Sequence, residues 1–286
     1  MTKKYITLAL ALLCAGAFTS NTYAKTSNET ERLGFTFEVG ADVVSSYIWR
    51  GYNLGGLSIQ PSVSLGWGGL YLSGWANIGA DNWKFQELAP ELDITIGYDN
   101  YGLKADLTHL YYFEGEDYFP KGGFKPNCDP DSVSSSIEAH IGFHLGDLIE
   151  SVPLCIDWYT IVYGGDCYIN ELGNWQRAWS TYIELGYTFE LPLDIMLNTT
   201  IGVTPWKGYY SNYEEVWTNA KTVAINNINL KLERYFDLRS IELGVWAQCM
   251  LNCYGIDKTN VIKKIGDNSD QRFNWNIGAS LYIGNN

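Results

Sequence analysis

From Phe273 to Ile283 every second residue is apolar. Phe273, Trp275, Ile277, Ala279, Leu281 and Ile283 share one side of an extended chain, and Asn274, Asn276, Gly278, Ser280 and Tyr282 share the other. Successive side chains of a strand point to opposite faces, so this segment is predicted to be a strand with one apolar and one polar face. The period recurs along the chain. The first predicted strand covers about 34–50, with Phe35, Phe37, Val39, Ala41 and Val43 against Thr36, Glu38, Gly40 and Asp42. The second, third, fourth and fifth cover about 57–66, 70–78, 90–98 and 101–112. The sixth to ninth cover about 134–145, 152–163, 178–189 and 193–204. The tenth, about 223–233, is the weakest, because its apolar phase slips between Ile225 and Ile228 as it would at a bulge. The eleventh covers about 240–251, and the segment from Phe273 makes twelve.

The connections support the same reading. Those after strands two, four, six, eight and ten are tight, such as Asp99-Asn100, whereas those after three, five, seven, nine and eleven are longer, such as 113–133 and 252–270. Only 51–56, after strand one, is short where a long one is expected. An even number of strands with alternating short and long connections describes a bacterial outer-membrane barrel with periplasmic turns and extracellular loops. The predicted fold is therefore all-β, a single antiparallel transmembrane up-and-down β-barrel of about 12 strands. The alternative, a secreted β-sandwich, gives no reason to sort its connections by length.

The N-terminus supplies the route to that membrane. Lys3 and Lys4 precede an apolar stretch from Ile6 to Phe18, and Thr22-Tyr23-Ala24 places small residues where a signal peptidase reads them. Residues 1–24 are expected to be a secretory signal peptide and 25–286 the barrel. Leu13 is too bulky to precede a lipidated cysteine at Cys14. No later segment approaches the roughly 18 uninterrupted apolar residues of a membrane helix. Aromatic residues make up 15% of the chain and charged residues only 18%, below the roughly 25% of soluble domains. Loss of Lys3 and Lys4 lowers the net charge from −13 to −15. Nucleic acid is thus excluded as a partner, since phosphate calls for Lys and Arg. The expected partners are outer-membrane lipid and small solutes, and the sequence leaves the oligomeric state open. Of Cys128, Cys155, Cys167, Cys249 and Cys253, at least one stays unpaired in a monomer, and no CxxC or His beside Cys249 and Cys253 signals a metal site. No cofactor is expected.

Four ordered motifs carry a family resemblance. Asp42-Val43-Val44-Ser45-Ser46-Tyr47-Ile48-Trp49-Arg50-Gly51 resembles the opening strand of the TorF-type (Gcw_chp) porins, close to S-D-Y-V-[FYW]-R-G. Ser58-Ile59-Gln60-Pro61-Ser62-Val63, Gly69-Leu70-Tyr71-Leu72-Ser73-Gly74-Trp75-Ala76-Asn77 and Glu91-Leu92-Asp93-Ile94-Thr95-Ile96-Gly97-Tyr98 resemble its next strands. The resemblance ends there, and the rest of the chain matches only as generic barrel. It implies an outer-membrane porin with no defined substrate.

The inward parity collects Glu38, Asp42, Glu91, Asp93, Asp106, Glu138, Asp157, Glu184, Glu233 and Glu242 against Arg50, Lys104 and Lys231. Such a lumen is negative and favours cationic or neutral solutes, as acidic rings do in pores. Arg50 is expected to pair with a carboxylate such as Asp42, Glu91 or Asp93, as a strut between strands or as a solute-binding group. The alternative is a plugged, salt-bridged interior, because small barrels are often filled by side chains. A third role, adhesive or structural, would rest on aromatic loop residues such as Tyr209, Tyr210, Tyr213 and Trp217, which an interfacial girdle explains equally. A barrel-embedded hydrolase remains a further alternative, although no catalytic constellation is visible. No Gly-x-Ser-x-Gly occurs, His109 has the lipid-facing parity without an evident serine, and His140 and His144 lie roughly 13 Å apart along a strand.

The sorting of connections fixes a topology. A tag inserted beside Asn127 is expected to be accessible on intact cells, whereas accessibility only after permeabilisation reverses the assigned orientation.

Overall fold

The computed structural model describes residues 34–80, 91–112, 135–149, 151–170, 172–206, 208, 210, 223–239, 241–253 and 273–284. The signal-peptide assignment, Cys128, the 113–133 connection, Tyr209, Tyr213 and Trp217 lie outside these residues. The strands are β1 (Phe35–Val44), β2 (Tyr47–Trp49), β3 (Tyr52–Gly55), β4 (Ser58–Trp67), β5 (Leu70–Gly79), β6 (Glu91–Asn100), β7 (Leu103–Tyr112) and β8 (Ser135–His144). They continue with β9 (Leu154–Gly164), β10 (Cys167–Ile169), β11 (Trp175–Arg177), β12 (Thr181–Leu191), β13 (Ile195–Thr204), β14 (Ala224–Asp237), β15 (Ile241–Asn252) and β16 (Phe273–Gly284).

Twelve of these strands close into one barrel in the order β1, β16, β15, β14, β13, β12, β9, β8, β7, β6, β5, β4. The seam is antiparallel, with Ala41 opposite Leu281 on β16 and opposite Pro61 on β4. All twelve predicted segments are wall strands, and the two remaining pairs, β2–β3 and β10–β11, are separate hairpins.

The alternation becomes a radial partition. Ile96, Ile141 and Ile277 stand 63%, 62% and 56% exposed on the outer face, while Gln60, Asn198, Asn276 and Ser280 are buried inside. Trp67 and Tyr101 mark the short-turn rim and Phe273 and Trp275 the other, as aromatic girdles do. An apolar outer belt would be unstable in water. In lipid it is matched, and closure leaves the wall without a free sheet edge. The chain is therefore a transmembrane β-barrel of the bacterial outer membrane.

Inside, glycines make room for large rings. A Cβ on Gly202 would lie 2.3 Å from the Tyr182 hydroxyl, and one on Gly278 would lie 2.3 Å from the Trp246 ring. The abundance of both residue types is thus one packing feature of a lumen filled with aromatic side chains.

Two details depart from the sequence reading and a third agrees with it. First, β1 ends at Val44, and residues 45–57 leave the wall to form β2–β3. Second, the turn expected at Asp99-Asn100 falls at Tyr101-Gly102. Both take left-handed angles (φ 52 and 71), and the Asn100 side chain accepts from the Tyr101 N–H at 3.0 Å. Two consecutive left-handed residues suit a two-residue hairpin, which keeps Asp99 and Asn100 in the ladder opposite Lys104 and Leu103. Third, the slip in the tenth strand is a bulge: Gly202 faces Asn227 and Val203 faces Ile225, so Asn226 is the extra residue. A second bulge leaves Val162 extra between Tyr163, opposite Ile137, and Ile161, opposite Glu138.

The partition predicts unequal tolerance of charge. Ile96→Arg is expected to destabilise folding into vesicles by about 2–4 kcal/mol near the bilayer midplane. Thr95→Arg, one residue back and on the opposite face, should cost less. Equal losses in urea titration would contradict the assigned register.

Candidate functional site: the lumen and the hairpin that crosses it

The β2–β3 hairpin lies within the barrel. Its tip is Arg50-Gly51, with φ 45 and 96. The first angle is uncommon for a residue with a side chain and costs on the order of 1–2 kcal/mol. The second suits glycine, and a Cβ there would also sit 3.1 Å from Asn227 Cβ. A tip carried away from the wall must still satisfy its carbonyls. The Asn226 amide donates to the Arg50 carbonyl at 3.2 Å, and Asn252 and Asn274 both donate to the Gly51 carbonyl at 3.2 Å. Asn276 donates to the Ser46 carbonyl at 3.0 Å. These asparagines belong to β14, β15 and β16. The bulge in β14 supplies one of them, since Asn226 is its extra residue.

The side chains reach the opposite wall. Arg50 makes a bidentate pair with Glu138 on β8, at 2.5 and 2.9 Å. Its guanidinium carbon lies 4.0 Å from the Tyr159 ring centre, 4.7 Å from Trp49, 4.8 Å from Tyr182 and 4.9 Å from Tyr210. The Tyr210 hydroxyl also donates to Glu138. Tyr52 donates to the Tyr210 carbonyl at 2.9 Å, and Tyr47 packs on Trp75 of β5, 5.5 Å between ring centres. Tyr47 and Tyr112 hydroxyls donate to Glu91. The hairpin thus touches β14–β16 on one side and β5, β6, β8, β9 and β12 on the other, spanning the lumen near the long-connection rim.

Of the residues expected inward, Glu91, Glu138, Asp157 and Glu233 are buried side chains of wall strands, and Arg50 enters on the hairpin instead of the wall. Arg50 pairs with Glu138 rather than with Asp42, Glu91 or Asp93. The pairing was hidden because strand parity assigns faces, not partners, and because residues 45–57 leave the wall. Most of the wall carboxylates are hydrogen-bonded. Asp42 accepts from Tyr282 at 2.9 Å, Glu184 from Tyr182 at 2.8 Å, and Asp106 from Tyr71 at 2.8 Å. Glu233 meets Lys231 at 2.6 Å, Asn198 at 2.5 Å and Tyr235 at 3.1 Å. Lys104 stands 4.0 Å from Asp99. Asp93 lies within range of the Glu91 and Glu138 charges, and its buried Oδ1 has no hydrogen-bond partner. Glu38 and Glu242 lie toward the short-turn rim, opposite Gly284 and Tyr282 on β16.

The histidines also differ from expectation. His140 Nδ1 meets Asp106 and its Nε2 meets Asp157, both at 2.8 Å, while His144 Nε2 meets the same Asp157 oxygen at 3.0 Å. The strand-rise separation of His140 and His144 therefore misleads, because the two rings lean together over one carboxylate. Among the described residues no group of three His, Cys, Asp or Glu side chains is placed to hold a metal ion. His109 does have a serine partner: its Nε2 lies 2.6 Å from Ser135 Oγ, across the β7–β8 ladder. Ser135 is only 3% exposed, so its hydroxyl is closed to an approaching ester. Tyr210, read from sequence as a surface or girdle residue, is 1% exposed inside the lumen.

Beyond the long-connection rim, Asp166 anchors the β10–β11 hairpin by accepting from the Ser180 N–H at 2.8 Å and its hydroxyl at 2.5 Å. Burial pushes the Asp166 carboxyl up, against the lowering effect of these two bonds and Arg177. Cys167 is disulfide-bonded, whereas Cys249 and Cys253 are free thiols.

No family model matches the sequence, and no curated protein matches it. Among solved structures, the NanC porin is similar at TM-score 0.47 and 11% identity, covering 86% of this chain and 98% of that one. An outer-membrane channel from Pseudomonas putida F1 follows at TM-score 0.43 and 13% identity, covering 94% and 100%. The KdgM porin is similar at TM-score 0.39 and 6% identity, covering 87% and 98%. Likeness at this level carries no functional argument, so the function rests on the chain's own geometry.

The buried pair makes a stability prediction. Glu138→Gln strands a buried guanidinium and should destabilise the barrel by about 3–5 kcal/mol. Arg50→Met combined with Glu138→Gln should be less destabilised than the single variant. A double variant no more stable than Glu138→Gln in urea titration would show that the pair is not the reason.

Proposed function

We propose that this barrel is a porin-like channel for small solutes, with a preference for cationic or neutral ones, in which the β2–β3 hairpin sets how far the lumen is open. The observation that carries this reading is a polar lumen crossed by a hairpin tip that the wall holds through side chains. Glu138 binds its guanidinium, and three asparagines bind its carbonyls. Bonds of this kind can be exchanged for water one at a time, unlike a backbone ladder. The wall supplies the sign of the preference. It carries Glu38, Asp42, Glu91, Asp93, Asp106, Glu138, Asp157, Glu184, Glu233 and Glu242 against Lys104 and Lys231, and Arg50 enters with the hairpin. Carboxylates in a narrow, low-dielectric lumen concentrate counter-ions.

The same reading takes residues 1–24 as the export signal and assigns the chain to the TorF-type (Gcw_chp) porins. The four motifs of that resemblance fall on β1 with the hairpin, β4, β5 and β6. Hence the motif ending in Arg50-Gly51 is the segment that enters the lumen. A hydrolase role would need His109–Ser135 as its centre, and the burial of Ser135 argues against it.

Conductance in planar bilayers tests the proposal. The wild-type protein should give small, cation-selective currents, and Arg50→Gln should enlarge them. Asp93→Asn with Glu91→Gln should move the reversal potential in a salt gradient toward zero, and concentrated salt should do the same by screening. Folded wild-type and Arg50→Gln proteins that both fail to conduct would establish a plugged barrel. Anion preference would refute the electrostatic part.

A further inference from the structure

The groups around Arg50 form a complete receptor for a planar cation. Glu138 presents both oxygens to the two terminal nitrogens, the geometry in which a carboxylate reads a guanidinium. Aromatic rings surround the charge: Tyr159 and Tyr182 belong to the barrel wall and Tyr210 to the connection after β13. Tyr182 and Tyr210 are fully buried and pack with Ile161. The position of Tyr182 is set independently of Arg50, because its hydroxyl bonds Glu184 and Asn227, whereas Tyr210 is held both by Glu138 and by Tyr52 of the hairpin. Tyr159 is braced by His140, stacked at 4.2 Å and 8°. Close by, Asp93 keeps an unpartnered buried oxygen and feels the Glu138 charge.

A strut joining two strands needs one carboxylate and little else. This pocket adds aromatic faces fixed by their own second bonds, and its occupant is delivered by a turn tip rather than by the wall. We infer that it is a binding site for guanidinium-bearing solutes, with Arg50 as a tethered occupant that such a solute replaces when the hairpin withdraws. The inference rests on the reading of the hairpin as movable and names the solute class that the lumen recognises.

The cage can be probed without reference to conduction. In detergent-folded Arg50→Gln protein, Trp49 stands at the rim of the vacated cage, so tryptophan fluorescence should respond saturably to ethylguanidinium. Ethylurea, the neutral analogue of the same shape, should give no saturable response, nor should sodium at equal ionic strength. Wild-type protein, whose cage is filled, should require about ten-fold more ethylguanidinium, as should Arg50→Gln combined with Glu138→Gln, which lacks the carboxylate. If Arg50→Gln does not fold, as judged by heat-modifiable migration, Arg50→Met provides the same vacancy with an apolar stem. Absence of a saturable response in a folded Arg50 variant overturns the inference, as does an equal response to ethylurea. An Arg50 variant that conducts without binding ethylguanidinium removes this site and leaves the channel reading intact. Binding without conduction removes the channel reading and leaves the cage.

Discussion

The structure turns on placing one guanidinium at the end of a backbone turn inside a membrane barrel. A buried charge without a partner is costly, and so is an unpaired backbone carbonyl. Both obligations arise at Arg50-Gly51. Glu138 and the surrounding rings meet the first, and Asn226, Asn252 and Asn274 meet the second. Asparagine fits because it is short and neutral and donates two hydrogens, so it can serve a carbonyl without adding charge beside the cation. The irregular features of the wall then have a common cause. The β14 bulge supplies Asn226, and the β9 bulge places Ile161 opposite Glu138, against the tyrosines of the cage.

How much of this was legible follows from what each signal encodes. Alternation encodes facing, and it located every wall strand because lipid on one side and a polar lumen on the other enforce the period. It misplaced the end of β1 because the apolar and aromatic run Tyr47-Ile48-Trp49 reads like more wall. The missing information was which surface those residues meet, and a hairpin packed inside a lumen leaves no periodic trace. The short 51–56 connection was the one visible anomaly, and it coincides with the infolded segment. The Ile225–Ile228 slip was likewise legible as a bulge, but its purpose lay in a contact 176 residues away in sequence. Partner choice is a property of register around the ring, which is why Glu138 and Ser135 went unmatched to Arg50 and His109. Side-chain reach defeated the spacing estimate for His140 and His144, whose rings meet over Asp157 although their backbones do not approach.

Charge counting needs a similar correction. A tally of inward carboxylates treats each as a free unit of negative potential, yet Asp106, Asp157 and Glu233 are bound to imidazole, amide, phenol or ammonium groups. A carboxylate that accepts several hydrogen bonds from the wall keeps its charge but offers fewer lone pairs to a solute. The lumen is then best viewed as a graded surface. Groups with saturated bonding set a background field, while groups with spare acceptors offer places for a cation to stop. Asp93 and Asp157, each with one oxygen buried and unpartnered, belong to the second kind, and Asp93 lies beside the pair that the hairpin closes.

That gradation bears on why the occluding cation should be arginine. A lysine at the tip would present a compact, strongly hydrated charge that pairs with Glu138 as a point. Arginine presents a plane with paired donors, stacks on tyrosine faces and is more weakly hydrated, so it loses less on leaving water. The cage is shaped for those properties: one carboxylate in the plane, with aromatic rings about it at 4.0 to 4.9 Å from the central carbon. Specificity for a planar cation and closure of the lumen are therefore consequences of the same contacts. On the proposed channel reading, weakening the hold on Arg50 would open the lumen and expose a surface shaped to discriminate among cations.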